Sequence, residues 1–423
     1  MFFTTIMTKN RQRILLYFLI AINGIVQLKA QNNTSSPYSV FGFGVMETAA
    51  HAHNTAMGNS GVAIPSEKYL NTLNPASLSN LDSLSFYFNF QAQGTSNKFI
   101  MSGKEQTNFD SNFDILSMGF RITPRWGMSV GLYPFSSIGY EINAQSDILG
   151  STSEYPIVYE GGGGLSRITM SNGIKLWKNL SAGIDFSFLW GSTDIMETAD
   201  YSSLSGMTIS NTRKWYFNNL YLKYGLQYKA RLKNGSLHAG ATWQPQTNIY
   251  ATFNQTIEQD ESTTYYDEDQ SADDVWLPNI YNIGLAAQWN SGWQVAADYS
   301  LAEWALLNHS STLNGTFHDS QTFGAGVSWS NPNNKHKCIN QMNWQAGAFY
   351  TDGHISINGT RIAEKGFSAG FSVPVSDRGN RFHLSYQYSI KGTADNGLIE
   401  ERYHKFKLSF SIIEHWFAKQ KFY

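Results

Sequence analysis

Cysteine is nearly absent: Cys338 is the only one in 423 residues, so no intramolecular disulfide can form. After residue 30 no run approaches the roughly 18 consecutive apolar residues of a helical membrane span. Charge is sparse at 15%, where an ordinary soluble domain carries about 25%. The net charge of −2 leaves no basic excess for a nucleic-acid partner. No Gly-rich phosphate loop, His-Glu-x-x-His or Cys-x-x-Cys motif is present, so no cofactor is implied.

What the chain has is 15% aromatic residues and 36 glycines, with a mean hydropathy of −0.32. An aromatic-rich, charge-poor chain that is not hydrophobic on average fits a barrel with lipid outside and water inside. A secreted β-sandwich or propeller array shares some of this composition, and the strand pattern must decide.

Lys9, Arg11 and Arg13 precede an apolar run, Ile14–Val26, and Leu28-Lys29-Ala30 offers a small-residue cleavage site before Gln31. Residues 1–30 therefore read as a secretory signal peptide cleaved near Ala30-Gln31; the run is too short for a permanent anchor. No cysteine lies near that site, which excludes a lipoprotein.

From Leu84 onward the chain alternates with period two in segments of about ten residues, the length a tilted strand needs to cross a bilayer. Phe406, Leu408, Phe410 and Ile412, for example, are set against Lys405, Lys407, Ser409 and Ser411. Strands are expected near 84–94, 111–122, 127–137, 163–177, 181–192, 213–230, 236–254, 276–290, 292–304, 316–330, 341–352, 361–373, 380–391 and 402–413. Short connections such as Thr123-Pro124-Arg125 and Asp377-Arg378-Gly379 alternate with long ones near 95–110, 138–162, 193–212, 255–275 and 392–401. Short periplasmic turns and long outer loops are the outer-membrane pattern, and an even strand number puts both chain ends in the periplasm. The expected fold is all-β: a transmembrane antiparallel β-barrel of about fourteen strands over residues 83–423.

Residues 31–82 do not alternate. About fourteen strands enclose a lumen too wide for side chains to fill, and this compact Gly-rich segment is placed to plug it. Its Ala56-Met57-Gly58…Gly61-Val62-Ala63 stretch, followed by Asn74-Pro75-Ala76 just before the first strand, resembles the N-terminal hatch of FadL-type transporters. The Ser36-Pro37-Tyr38-Ser39 opening and the closing Glu414-His415-Trp416-Phe417 are similar to a Bacteroidetes branch of that superfamily. The resemblance implies a fourteen-stranded barrel for passive passage of a hydrophobic, fatty-acid-like molecule across a Gram-negative outer membrane. In that reading Met57, Gly58, Gly61, Asn74, Pro75 and Ala76 belong to the hatch. Partners would be outer-membrane lipid, lipopolysaccharide and the ligand. A FadL-like barrel of type IX secretion is another relative, which leaves an interaction subunit of an export machine open. A structural barrel without passage is the third reading.

The third strand, Gly131-Leu132-Tyr133-Pro134-Phe135-Ser136-Ser137-Ile138-Gly139, places a proline inside a paired segment. Proline cannot donate to the ladder, so Pro134 is expected at a kink, bulge or edge, or in the outer loop beyond the membrane. FadL-type barrels are similar in having a kinked third strand that opens a side portal beside the hatch. The resemblance thus marks Gly131, Pro134 and Gly139 as a kink opening next to Asn74-Pro75-Ala76.

Other constellations point away from chemistry. Gly-x-Ser-x-Gly occurs at 127–131 and 366–370, but inside alternating strands with no helix following, where a hydrolase elbow cannot form. Small residues there suit a bend of the barrel or close approach of the plug. His51 and His53 lack a readable third metal ligand, and a solvated turn is the expectation. Residues 258–274 carry eight acidic side chains and no base; as an EF-hand they fail, with Ala272 and Pro278 where Gly and Glu are needed. A solvated outer loop is expected, with weak divalent-cation bridging to lipopolysaccharide as the sharper reading. No catalytic residue and no metal site are expected, and the chain does not read as an enzyme.

Overall fold

The computed structural model describes residues 34–83, 85–148, 154–201, 206–260, 262–310, 313, 315–331, 341–376 and 379–415; of residues 267–274 and 415 only the backbone is described. Residues 1–30, read from sequence as a signal peptide, and Leu84, Cys338, Trp416 and Phe417 lie outside the described residues.

Fourteen antiparallel strands close into a barrel. They are β1 (Ser85–Met101), β2 (Lys104–Thr123), β3 (Trp126–Ser137, then Tyr140–Asp147), β4 (Glu154–Lys175) and β5 (Leu180–Asp200). Next come β6 (Thr208–Leu232), β7 (Gly235–Gln244, then Thr247–Gln259), β8 (Thr263–Leu277, then Ile280–Trp289), β9 (Trp293–Ala302) and β10 (Ser320–Ser330). β11 (Asn343–Thr351), β12 (Glu364–Pro374), β13 (Arg381–Lys391) and β14 (Glu400–His415) complete the ring. β1 pairs with β14 from Ser85↔His415 to Ile100↔Glu400, so closure abolishes the terminal edges that an open sheet would leave.

The alternation works inside out relative to a soluble protein. On β14, Phe406, Leu408 and Ile412 are exposed, whereas Lys407, Ser409 and Ser411 are buried in the lumen. An apolar outer face suits lipid, where the ladders between strands satisfy the backbone amides.

The expected outer loops are mostly strand. Much of segments 95–110, 193–212 and 255–275 extends the strands: β1 turns into β2 at Ser102-Gly103, β5 reaches Asp200 before β6 starts at Thr208, and β7 reaches Gln259 before β8 starts at Thr263. The apolar period stops where lipid stops, but ladder bonds continue in water through Thr, Asn, Tyr and Glu, so hydropathy shows only the membrane-crossing part. The acidic 258–274 stretch is therefore a hairpin, in which the Asp260 carboxylate accepts from Thr208 N at 2.8 Å. Its side chains from Asp267 to Asp274 lie outside the described residues, and with them the cation-bridging reading.

Residues 34–83 thread the lumen from end to end. The Ser36 hydroxyl donates to Glu401 (2.7 Å) and the Tyr38 hydroxyl to Ile399 O (2.7 Å), at the end opposite the β1–β14 termini. The chain then descends through a helical turn, Ala52–Ala56, to a 3-10 turn, Pro75–Asn80, where Pro75 and Leu78 lie against Gly173. At the upper end Phe41 and Phe43 join Trp304, Leu307 and Phe317 from the β9–β10 connection in one apolar cluster over the mouth.

Candidate functional site: the hatch and the third-strand seam

β2 and β3 pair only from Thr123↔Trp126 to Leu116↔Leu132. Above that point β2 keeps β1 as its partner up to Met101↔Lys104, and β3 keeps β4. The wall therefore parts between β2 and β3. Pro134 lies at the parting: the β3–β4 register slips between Pro134 and Ser136, a bulge at Phe135, and β3 breaks at Ile138-Gly139. A proline is tolerated beside a bulge, where it removes only one ladder donor. Gly131 lies beneath the Tyr133 hydroxyl with no room for a Cβ, and Gly139 N donates to Ser39 Oγ at 3.1 Å. Pro134 lies within the strand beside the bulge and Gly139 at the break, whereas Gly131 keeps regular register with both Ser117 and Thr169.

The edge that β3 frees is taken up by the hatch. Val45 and Met46 pair with Ser137 and Ser136, and Glu47 N donates to Phe135 O at 2.9 Å. Nothing in the sequence flagged this two-residue strand, because two residues carry no period. Glu47 stands behind the seam, in the wall of a cavity of about 160 Å³ between Asn112–Asp114 and Tyr133-Pro134, and also in the wall of the central lumen cavity of about 440 Å³. Burial raises the Glu47 pKa, with the Lys405 and Lys407 ammoniums opposing the rise. The lumen holds buried ion pairs, Lys407–Asp114 at 2.7 Å and Lys223–Asp185 at 2.9 Å, beside Phe135, Trp304 and Ile280 higher up.

The hatch residues named from sequence lie elsewhere on the wall. Gly58 N donates to Ser368 Oγ (3.0 Å), and Met57-Gly58 lie so close on Gly326 and Gly347 that neither could carry a side chain. Gly61 N and Val62 N both donate to Asp298 Oδ2, at 2.6 and 2.9 Å. Asn74 caps Ala76 N (3.0 Å) and donates to Val62 O and Leu226 O, while Pro75 lies over Gly183. These residues fasten the hatch to β4–β6 and β9–β12. It is Glu47, not Asn74-Pro75-Ala76, that adjoins Pro134. The Gly-x-Ser-x-Gly glycines serve close approach, Gly127 under Leu78 O and Gly370 under Ala56.

His51 and His53 are buried, not solvated: His51 stacks on Tyr69 at 4.5 Å and meets His383 edge-on at 4.6 Å. A neutral imidazole is a flat plate with two polar corners, and Ser409 and Ser411 satisfy one of them at 3.0 and 3.2 Å. Among the described residues no group of His, Cys, Asp and Glu could hold a metal ion.

The closed barrel, its lumenal hatch and its parted third strand define a plugged fourteen-stranded antiparallel β-barrel. The chain belongs to the BamG family, whose model matches residues 7–423. Solved structures with this fold include the Pseudomonas putida toluene transporter TodX (16% identity, 87% of this chain and 99% of that one, TM-score 0.59). The Ralstonia pickettii toluene transporter TbuX is 13% identical over 85% of this chain and 97% of that one, at TM-score 0.60. A Pseudomonas aeruginosa FadL homologue is 12% identical over 87% and 98%, at TM-score 0.55. No curated protein matches the sequence.

Proposed function

We propose that the barrel passes a hydrophobic, fatty-acid-like molecule between its lumen and the outer membrane through the β2–β3 seam, with the hatch strand Val45–Met46 as the gate. The observation that carries this reading is the parting of the wall at Leu132, backed by a piece of hatch and not by barrel. Unpaired strand edges cannot face lipid, so a seam at membrane depth must be lined by protein or by a cavity. Here it is both. An apolar solute leaving sideways would never cross water. The structural likeness to toluene channels and a FadL homologue supports the same reading.

A test uses the pairing itself. In a Cys338→Ser background, Met46→Cys with Ser136→Cys lies in register for a disulfide that pins the hatch strand to β3. Uptake of a labelled long-chain fatty acid should stop in the oxidised protein and return on reduction. Equal uptake in both states removes the gate. The export-subunit reading rests on the Tyr140–Asp147 segment, which pairs on one side only and could accept a partner strand. Affinity isolation of a large outer-membrane partner through that segment would favour it.

A further inference from the structure

Successive residues of a strand point to opposite faces, so in a barrel they alternate between lumen and lipid. The cavity of about 160 Å³ behind the seam is lined by both sets. Gln93, Asp114 and Tyr133 are buried inward positions of β1, β2 and β3. Phe113, Leu132 and Pro134 are outward positions of β2 and β3, and Phe113 is exposed. The cavity therefore passes through the wall. Both strands flanking it are bulged: the β1–β2 register slips at Asp114, as the β3–β4 register does at Phe135.

Two side chains, Glu47 of the hatch and Gln93 of β1, line both this cavity and the lumen cavity of about 440 Å³. A solute moving from one to the other goes between them. The sign of the wall changes there. Arg167, Lys223, Lys391, Lys405 and Lys407 line the lumen cavity, against Glu47, Asp298 and Glu364. The seam cavity has Glu47 and Asp114 and, among the described residues, no base. Asp114 is engaged by Lys407 at 2.7 Å and by the Gln91 amide at 2.6 Å. Among the described residues the Glu47 carboxylate accepts only from the Ser137 hydroxyl, at 3.4 Å.

We infer that Glu47 and Gln93 form a charge filter between the lumen and the seam, which admits uncharged apolar solutes and holds back anionic ones. The filter rests on the seam being the exit. Ionised, Glu47 repels an anionic head group; protonated, it still supplies no counter-charge. A charged group moved into an enclosed site without a partner is costly in either case. Gln93 offers an amide, which bonds a neutral hydroxyl or carboxyl but cannot neutralise an anion. An anionic amphiphile can gather among the lumenal lysines, and only its uncharged form goes on past Phe113 to lipid.

Intact cells carrying the full chain test this with labelled dodecanol and labelled dodecyl sulfonate, which share a chain length and differ in charge. Cells without the chain supply the background. Chain-dependent uptake of dodecanol should exceed that of dodecyl sulfonate by about tenfold or more. Glu47→Lys and, separately, Gln93→Lys carry the positive wall through the filter. Each should raise sulfonate uptake several-fold, with dodecanol uptake near the parent's and heat-modifiable gel mobility retained. Glu47 holds β3 through its backbone amide, so the hatch strand survives the change. Equal uptake of both probes by the parent, or a ratio that neither lysine moves, overturns the filter while leaving the exit in place. If neither lysine variant folds, the parent ratio alone decides. The oxidised Met46→Cys/Ser136→Cys protein should bring both probes to background. Dodecanol uptake at background in the parent, or undiminished by that lock, overturns the exit and the filter together.

Discussion

The backbone N–H of Glu47 donates to the carbonyl of Phe135 across 2.9 Å, so a residue of the lumenal hatch occupies a ladder position that β2 vacates. Because Phe135 turns its carbonyl to the hatch, the amide of residue 134 turns to β4, opposite Ser166. Proline removes the donor at that point. Pro134→Val supplies it, draws β3 onto β4 and erases the reason for the bulge. Stability should rise by about 1 kcal/mol, the net worth of one hydrogen bond. Fatty-acid uptake should fall, because a straight β3 re-closes on β2. Uptake equal to the parent's in a correctly folded barrel would leave Pro134 without a role in the gate.

The Asp298 carboxylate clamps two hatch amides at once, accepting from both Gly61 N and Val62 N. Asp298→Ala strips two amides of their acceptor at once. Leaving partly buried donors unsatisfied costs roughly 1–3 kcal/mol each, which the hatch alone bears because the ladder of β9 is backbone-made. The barrel should keep its heat-modifiable mobility while protease added to the short-turn side cuts the hatch faster. An unchanged cleavage rate would mean the clamp is redundant.

How much of this was legible depends on period. The fourteen crossings were readable because a lipid face imposes alternation over about ten residues, and Pro134 was readable because proline denies a ladder bond whatever surrounds it. The upper strand extensions were not, since outside lipid nothing forces one face apolar. The hatch showed itself by lacking a period and by its glycines. Its two-residue pairing through Val45 and Met46 left no trace, and the placement of Asn74-Pro75-Ala76 by analogy missed Glu47. His51 and His53 misled because polar type was read as solvation, whereas both lie buried against the Tyr69 ring, with Ser409 and Ser411 bonded to His51 and Gln345 to His53.

Those imidazoles make hatch docking acid-sensitive. His53 is pushed down to about 3, chiefly by burial and then by Arg381 and Lys68. His51 falls well below the ordinary imidazole value through burial, His53 and Lys407. In an undocked hatch both return towards the free value near 6.5. Between pH 6.5 and about 3 the undocked hatch therefore binds protons that the docked one refuses, so docking is fully supported above that window and weakens as pH falls through it. At pH 5 the loss from His53 alone is about 2 kcal/mol, and His51 acts in the same direction. Glu47, whose pKa burial raises, acts in the opposite sense. Bilayer conductance should rise reversibly from pH 7 to pH 5, and His51→Phe with His53→Phe should flatten the response. A flat profile in the parent chain would show that the rings stay docked.

Deleting residues 31–82 separates what the hatch does from what the barrel does. Barrel strands pair with one another everywhere but at the β2–β3 seam, and the hatch lends the sheet only Val45 and Met46, so assembly should survive. Heat-modifiable mobility should be retained at near-parent levels. The lumen is another matter, because fourteen strands enclose more space than inward side chains fill. Without the hatch, Asp298, Gln91 and Ser368 lose their hatch amide partners and become water-facing, while Lys407–Asp114 and Lys223–Asp185 still line an open bore. The β3 edge above Leu132 also loses its only partner on that side, so the seam should widen. Single-channel recording should find large, steady conductance in the deletion and small or flickering conductance in the full chain. Conductance no greater than the full chain's, from a barrel that still shows heat-modifiable mobility, would mean that residues 31–82 do not seal the lumen.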